Sequence, residues 1–301
     1  MSSVAVLMSA YNGEKFICEQ IDSILAQKDV EVSLYIRDDG SSDSTKDILD
    51  TYVKERGITV YYCDNVGVGN SFMELMYTAP SGYDYYAFAD QDDIWEEDKL
   101  IEAVKLLQES GKALYGSNQE CVDIDGNSMG LRYAEEKYIY LEPAQILSKN
   151  MIAGCTMVLT SALRELMVDD SRRPSKTLLR NRIHDVWVAA VGSLCGGIAY
   201  DNRSFIKYRQ HGNNVVGAYD GGLKKKCKER MKKAFHKEYR NGRSMLAKEL
   251  LIKFPEFTSD CPLVKACASG KLAVLRNRKV LRSYTGESRL GFFMKVVLGL
   301  F

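Results

Sequence analysis

The fold is decided by the stretch VAVLMSAYNGEKFICEQIDSILAQKDVEVSLYIRDDG, residues 4–40. Residues 4–10 are apolar enough for a buried strand, and Tyr11-Asn12-Gly13 follows as a turn. Apolar residues then recur at helical spacing over residues 17–25, and residues 32–36 alternate as a strand does. The stretch predicts one strand-helix-strand unit of a mostly parallel sheet that is covered by helices.

The alternation of strand and helix continues to about residue 113 and then weakens. Ser44 and Asp47 are spaced like a loose capping box, which predicts a helix there. Ile94 and Trp95 are predicted to open a helix, and another is expected after Asn70. Further strands are predicted over residues 59–63, 83–89, 113–117, 151–159, 198–200 and 205–209, with a turn over 123–127 and a helix over 184–194.

Composition divides the chain near residue 220. Residues 224–253 contain 12 Lys or Arg against 3 Glu, with few strand formers. We therefore expect an α/β domain over residues 1–220 and a basic helical extension over residues 221–301. The formal net charge of the 301 residues is +1, which gives no support to nucleic-acid binding. No signal peptide and no apolar run of about 20 residues is visible, so the cytoplasm is the expected compartment.

Two acidic motifs follow predicted strands. In Arg37-Asp38-Asp39-Gly40, a carboxylate can accept a hydrogen bond from a pyrimidine N3–H or a ribose hydroxyl, and Gly40 lets a ligand approach the backbone. The same residues are equally compatible with a turn and a helix cap.

The second motif, Asp90-Gln91-Asp92-Asp93, places three carboxylates within four residues. Their repulsion is costly unless a cation or hydrogen-bond donors compensate for it, and oxygen ligands of this kind suit Mg²⁺ or Mn²⁺. Acids at a helix start also interact favourably with the helix dipole, which is the simpler explanation. Ligands of open α/β sheets bind at the carboxyl ends of strands, so this motif predicts a metal site.

Two further residues are candidates for chemistry. Asp185 begins a predicted apolar helix, where it can serve as a general base for a hydroxyl nucleophile or simply as a helix cap. His211 lies in the polar stretch Tyr208–Asn214. It is a candidate third metal ligand or phosphate contact, although a single loop histidine is more often neither.

Taken together, five motifs resemble family 2 glycosyltransferases of the GT-A fold, in the same order, over residues 3–217. They are Ser9–Gly13, Asp38–Ser41, Asp90–Trp95, His184-Asp185 and Tyr208–Asn213. The resemblance implies a GT-A type α/β fold, with a mixed, mainly parallel sheet flanked by helices and a C-terminal helical extension. The family usually has Glu-Asp where this sequence has His184-Asp185.

The resemblance also implies roles for individual residues. The nucleotide contacts would be Ala10, Tyr11, Asn12, Asp38, Asp39, Gly40 and Asp90. Asp90 and Asp92 would hold the divalent metal and the donor diphosphate, and Asp185 would be the catalytic base.

The strings DQDDIW (residues 90–95) and YRQHGNN (residues 208–214) look most like bacterial rhamnosyltransferases that use dTDP-L-rhamnose. We therefore expect inverting transfer of a sugar to a glycan or lipid-linked acceptor in surface polysaccharide synthesis. A UDP-sugar donor remains an alternative. The motifs are also compatible with a non-catalytic sugar-nucleotide-binding protein of the same fold and with a nucleotidyltransferase.

Residues 289–301 are strongly apolar and follow a segment rich in Lys and Arg. One interpretation is peripheral contact with the anionic inner face of a membrane. The other is that these residues dock on the catalytic domain or form a homodimer contact. The sequence gives the two interpretations equal weight.

Overall fold

A computed structural model of the chain describes residues 1–181, 183–210, 241–299 and 301. The fold is mixed α/β. The strands are β1 Ser2–Ala10, β2 Val30–Asp38, β3 Thr59–Tyr62, β4 Tyr85–Asp90, β5 Ile94–Trp95, β6 Leu114–Val122, β7 Ser128–Leu131, β8 Val158–Thr160 and β9 Ile198–Arg209. The helices are α1 Ile17–Leu25, α2 Thr45–Arg56, α3 Val68–Thr78, α4 Lys99–Ser110, α5 Pro143–Ser148, α6 Ser161–Val168, α7 Lys176–Asn181, α8 His184–Leu194, α9 Gly242–Lys253, α10 Pro255–Thr258, α11 Pro262–Ala268, α12 Lys271–Arg276, α13 Arg278–Thr285 and α14 Arg289–Leu298.

The nine strands of the described residues form one sheet in the order β3-β2-β1-β4-β8-β6-β9-β5, with β7 paired to β6. The long pairings are parallel, and the pairings of β5, β7 and β8 are short and antiparallel. Ser9 of β1 lies opposite both Arg37 of β2 and Asp90 of β4. The loops that follow these three strands therefore meet at one edge of the sheet, where α/β folds bind ligands.

Helices cover both faces of the sheet. Val4, Val6 and Met8 face one apolar layer that includes α1 and α4, while Ala5 and Leu7 face a second layer that includes α3 and α8. A strand buried on both faces reads as a continuous apolar run, which explains the unbroken hydrophobic start of the sequence.

The structure corrects several expected elements. Ile94 and Trp95 form the short strand β5, because they pair with Ile206 and Lys207 of β9, and the next helix begins only at Lys99. Helix α3 begins before Asn70, at Val68.

The later strands and one helix cap also differ from the prediction. A short 3-10 helix over Gly154–Thr156 interrupts the strand predicted over residues 151–159, and the observed strand is limited to Val158–Thr160. The two strands expected within residues 198–209 are one continuous strand. The capping box is absent, since the Ser44 side chain makes no capping hydrogen bond, and Asp43 accepts the backbone N–H of Thr45 at 3.0 Å.

The C-terminal helices pack on the rest of the chain. Leu246 and Leu250 of α9, with Phe292 and Val296 of α14, belong to the same apolar cluster as α3 and α8. The expected domain boundary near residue 220 lies outside the described residues and stays a prediction. Within the described residues, every helix is too short or too polar to cross a membrane.

Candidate active site

The loops after β1 and β2 are joined by hydrogen bonds. Asp39 N donates to Ala10 O at 2.7 Å, and Asn12 N donates to Ser41 Oγ at 2.9 Å. In return, Asn12 Oδ1 accepts from Ser42 N at 2.8 Å. Asn12 has a positive φ of 49°, a conformation that asparagine tolerates better than most residues. The structure thus brings Ala10, Asn12 and the Asp38-Asp39 motif together.

The two neighbouring aspartates of this motif have different surroundings. The Asp39 carboxylate binds the Arg37 guanidinium and accepts the backbone N–H groups of Val66 and Gly67, each at 3.0 Å. Asp39 therefore fixes the loop before α3. Asp38 Oδ2 accepts from Ser41 N at 3.1 Å.

The second oxygen of Asp38, Oδ1, is buried and has no hydrogen-bond partner among the described residues. An unsatisfied buried acceptor costs free energy, so this atom is suited to accept a hydrogen bond from a ligand. A Cβ on Gly40, at a φ of 82°, would lie 3.2 Å from Asn65 N, so glycine is required in this turn.

Gln91 connects the loop after β1 to the acidic loop, which consists of residues 90–93. Its side-chain amide accepts from Tyr11 N at 2.8 Å and donates to Tyr11 O at 3.0 Å, as a neighbouring strand would. A Cβ on Gly13 would lie 2.3 Å from Gln91 Oε1, so the glycine makes room for this contact. The role of Gln91 was not predicted from the sequence, where the only signal was an amide among three carboxylates.

The acidic loop concentrates negative charge. Burial, together with the negative charges of Asp92 and Asp185, raises the pKa of Asp90 to about 7. Burial also raises the pKa of Asp93 well above its ordinary value, and Asp92 and Asp90 act in the same direction. A bound cation would relieve this repulsion.

The structure also shows which side chains fit a divalent cation. Asp90, Asp93 and Cys155 each present one ligand atom, and these atoms lie within 4.8 Å of one another. Asp93 Oδ2 is buried without a hydrogen-bond partner in the described parts of the chain. Carboxylates suit Mg²⁺ or Mn²⁺, whereas burial raises the pKa of the Cys155 thiol, and a neutral thiol is a poor ligand for them.

This group differs from the predicted ligand set of Asp90, Asp92 and His211. Asp90 belongs to both. Asp92 lies close enough to raise the pKa of Asp90, and His211 lies outside the described residues. The predicted set therefore stays a prediction.

Arg209 and Lys99 support the acidic loop, and neither was identified as a site residue from the sequence. Arg209 donates from its backbone N to Asp93 Oδ1 at 3.2 Å and from Nε to Asp92 O at 3.1 Å. Lys99 Nζ lies 3.6 Å from the centre of the Trp95 ring, and burial lowers the pKa of this amine to about 7. A lysine at a helix start gives no sequence signal of such burial.

Asp185 lies in the first turn of α8, after Ile183 at the N-cap position, so the helix-cap alternative does not hold. Its Oδ2 accepts from the Asn150 side-chain amide at 3.4 Å, and its Oδ1 accepts from Val186 N at 2.6 Å. Its effect on the pKa of Asp90 places its charge beside the acidic loop.

His184 is buried beside Asp185. Its ring stacks on Phe72 with 4.0 Å between ring centres and meets the edge of Phe88 at 5.1 Å. Burial lowers the pKa of His184 to about 3, so the ring is neutral at pH 7. A Cβ on Gly154 would lie 2.5 Å from His184 Nε2. This close packing fixes the start of α8 and hence the position of Asp185.

The chain resembles known bacterial proteins. It is 30% identical over 226 residues to dTDP-rhamnosyl transferase RfbG of Shigella flexneri, covering 70% of this chain and 74% of that protein. It is 26% identical over 249 residues to an uncharacterized glycosyltransferase of Rickettsia prowazekii (strain Madrid E), covering 76% and 74%.

The fold resembles the crystal structure of Staphylococcus aureus TarS 1-349, with a TM-score of 0.57 and 17% identity over 98% of this chain and 90% of that one. This likeness confirms the expected fold class. The family model of glycosyl transferase family 2 matches residues 5–167, which is more than half of the chain. The chain therefore belongs to glycosyl transferase family 2.

Proposed function

We propose that this protein is an inverting, metal-dependent glycosyltransferase that transfers L-rhamnose from dTDP-L-rhamnose to a glycan or lipid-linked glycan in bacterial surface polysaccharide synthesis. The observation that carries the proposal is the meeting of Asp38, Asp90 and Asp185 at one edge of the sheet. The similarity to a dTDP-rhamnosyl transferase supports the choice of donor.

In the proposed reaction, the acceptor hydroxyl gives its proton to the Asp185 carboxylate as its oxygen attacks the anomeric carbon. The bond from that carbon to the nucleoside diphosphate breaks on the opposite face, so the anomeric configuration inverts. A positioned proton acceptor of this kind is worth about 10² to 10⁴ in rate. Asn150 and the packing of His184 hold the carboxylate in place.

The nucleoside would bind between the loops after β1 and β2. Asp38 Oδ1 can accept the N3–H of thymine or uracil, so this contact suits either pyrimidine donor. Ala10, Tyr11, Asn12 and Gly40 would line the same site. Asp39, predicted from the sequence as a nucleotide contact, would act through the loop that it holds.

Asp90 and Asp92, with His211 as the predicted third ligand, would hold Mg²⁺ or Mn²⁺. When bound, such a cation supplies positive charge to the diphosphate that leaves. The raised pKa of Asp90 supports this assignment. After burial, its largest causes are the negative charges of Asp92 and Asp185, which a cation would compensate.

A screen of nucleotide sugars tests the proposal. With Mn²⁺ or Mg²⁺ present, dTDP-L-rhamnose should raise the melting temperature more than UDP-glucose or UDP-galactose, and nucleoside diphosphate should be released on turnover. A preference for a UDP-sugar would mean that the donor is that sugar nucleotide and not dTDP-L-rhamnose. TarS has been crystallised with UDP-GlcNAc and with UDP, so UDP-GlcNAc belongs in the screen.

The same screen separates the remaining classes of protein. Release of pyrophosphate would identify a nucleotidyltransferase. Binding with no turnover on any donor would identify a non-catalytic binding protein. The proposal also places the reaction in the cytoplasm, as the sequence predicts.

A further inference from the structure

Five large apolar side chains form a row on the outer face of α14. This outer stripe consists of Leu290, Phe293, Met294, Val297 and Leu298, whose exposed fractions run from 44% to 71%. They recur at the i, i+3, i+4, i+7, i+8 spacing and span an arc of about 140° around the helix axis. An amphipathic helix normally buries such a stripe, so this one is suited to an external partner.

The exposure of the stripe does not come from a loosely attached helix. Phe292 and Val296 on the inner face are buried in the core, and the Phe292 ring packs on Phe301 with 5.3 Å between ring centres. Ser288 caps the helix start by accepting Gly291 N at 3.1 Å. Each interpretation drawn from the sequence therefore has a face of α14 that fits it. The inner face docks on the protein, and the side chains of the outer face are exposed in the part of the chain that the structure describes.

The segment of sequence that carries the stripe is basic. Residues 271–301 contain seven Lys or Arg and one acid, Glu287, which is already paired with Lys295. Residues 1–220 have a formal charge of −13, from 21 basic and 34 acidic residues, whereas residues 221–301 have +14, from 20 and 6. The near-neutral total thus conceals a strongly basic C-terminal part.

The combination of an apolar stripe and a basic segment discriminates among possible partners. The positive charge would attract nucleic acid, but the apolar stripe would contribute nothing to that binding. A second copy of this chain would bring two basic regions together, and five side chains are few beside the 20 to 30 or so residues a side of a stable interface. A bilayer with anionic headgroups matches both features.

We propose that α14 lies in the interface of an anionic lipid bilayer, with the outer stripe in the acyl boundary and the nearby Lys and Arg at the headgroups. Each basic residue near such a surface strengthens binding about fivefold. This membrane contact goes beyond the proposed function and would give the reaction a location. Helix α13 packs on α5, and α5 packs on α8, which carries Asp185. A docked α14 would therefore hold the catalytic part near lipid-linked acceptors.

Vesicle co-sedimentation of the full chain tests the proposal. Vesicles of phosphatidylcholine with a minority of phosphatidylglycerol should bind the protein, and binding should weaken as salt is added. The double variant Phe293→Glu/Val297→Glu should bind at least about 10²-fold more weakly, because it places two charges in the apolar row. Leu290→Ser, at the most exposed position, should have a smaller effect in the same direction.

The matched control is Val53→Glu/Ile252→Glu, which makes the same charge change at two exposed apolar positions on α2 and α9. This control variant should bind the anionic vesicles as the unaltered protein does. The melting temperatures of all variants should lie within a few degrees of that of the unaltered protein. Equal losses in both double variants would mean that general charge, and not the stripe, controls binding.

Three further results would overturn the proposal. They are no binding to any vesicle, equal binding to pure phosphatidylcholine, and a dimer in light scattering that only the stripe variant dissociates. The last result would make a second copy the occupant of the stripe. Because no donor is added, failure here leaves the transferase assignment untouched.

Discussion

Replacing His184 with glutamine should reduce the loss of stability in acid. The imidazole is buried against Phe72 and Phe88, and its two ring nitrogens have no hydrogen-bond partner among the residues that the structure describes. Protonation would place a positive charge in this apolar setting. The folded state therefore resists protonation, whereas the unfolded chain accepts a proton at the ordinary pKa of histidine.

The size of the effect follows from the two pKa values. The pKa of His184 is lowered from 6.5 to about 3 in the folded protein. Below pH 6.5 the unfolded state therefore binds more protons than the folded state, and the stability falls as the pH is lowered. The slope is about 1.4 kcal/mol per pH unit until the pH approaches 3. Between pH 7 and pH 5, His184 should therefore cost about 2 kcal/mol of unfolding free energy.

Urea unfolding of the unaltered protein and of the His184→Gln variant, each at pH 7 and pH 5, measures this contribution. Asp90 has a raised pKa and contributes with the opposite sign, so only the difference between the two proteins isolates residue 184. The His184→Gln variant should lose about 2 kcal/mol less than the unaltered protein over this interval. Parallel stability curves would show that His184 is solvated and would refute the packing described for the start of α8.

Two further predictions concern the donor site. Asp92→Ala should abolish transfer and remove the divalent-cation dependence of nucleotide binding, measured by calorimetry with and without Mn²⁺; unchanged dependence would exclude Asp92 as a ligand. Gln91→Glu should weaken nucleotide binding by about tenfold, because a carboxylate oxygen would face Tyr11 O in place of the donating amide. Gly13→Ala, which displaces the same amide, should act in the same direction, and normal affinity in both variants would show that Gln91 does not position the loop.

The general fold and the place of the site were predictable because they rest on local patterns. The apolar run over residues 4–10 and the alternation over residues 32–36 predicted parallel strands, and the structure confirms β1 and β2. Parallel strands bring their carboxyl ends to one edge, so acidic residues after β2 and β4 were expected to be neighbours.

Features that depend on distant segments were not predictable. Ile94 and Trp95 form a strand only because β9 pairs with them, and a two-residue strand has no periodicity of its own. The sequence does not distinguish the role of Asp38 from that of Asp39. In the structure the backbone N–H groups of Val66 and Gly67 bind Asp39, so Asp39 is the residue with the structural role. The burial of His184 likewise depends on Phe72 and Phe88, which belong to α3 and β4.

Asp185 is proposed as the base that takes the proton of the acceptor hydroxyl, and the Asp185→Asn variant tests this role. Asparagine keeps the shape of the side chain and removes the carboxylate that is proposed to accept the proton. Donor affinity, measured by calorimetry with Mn²⁺, should stay within a few-fold, while the transfer rate falls by about 10² to 10⁴. Normal turnover in this variant would contradict the account, because another group would then have to be the base.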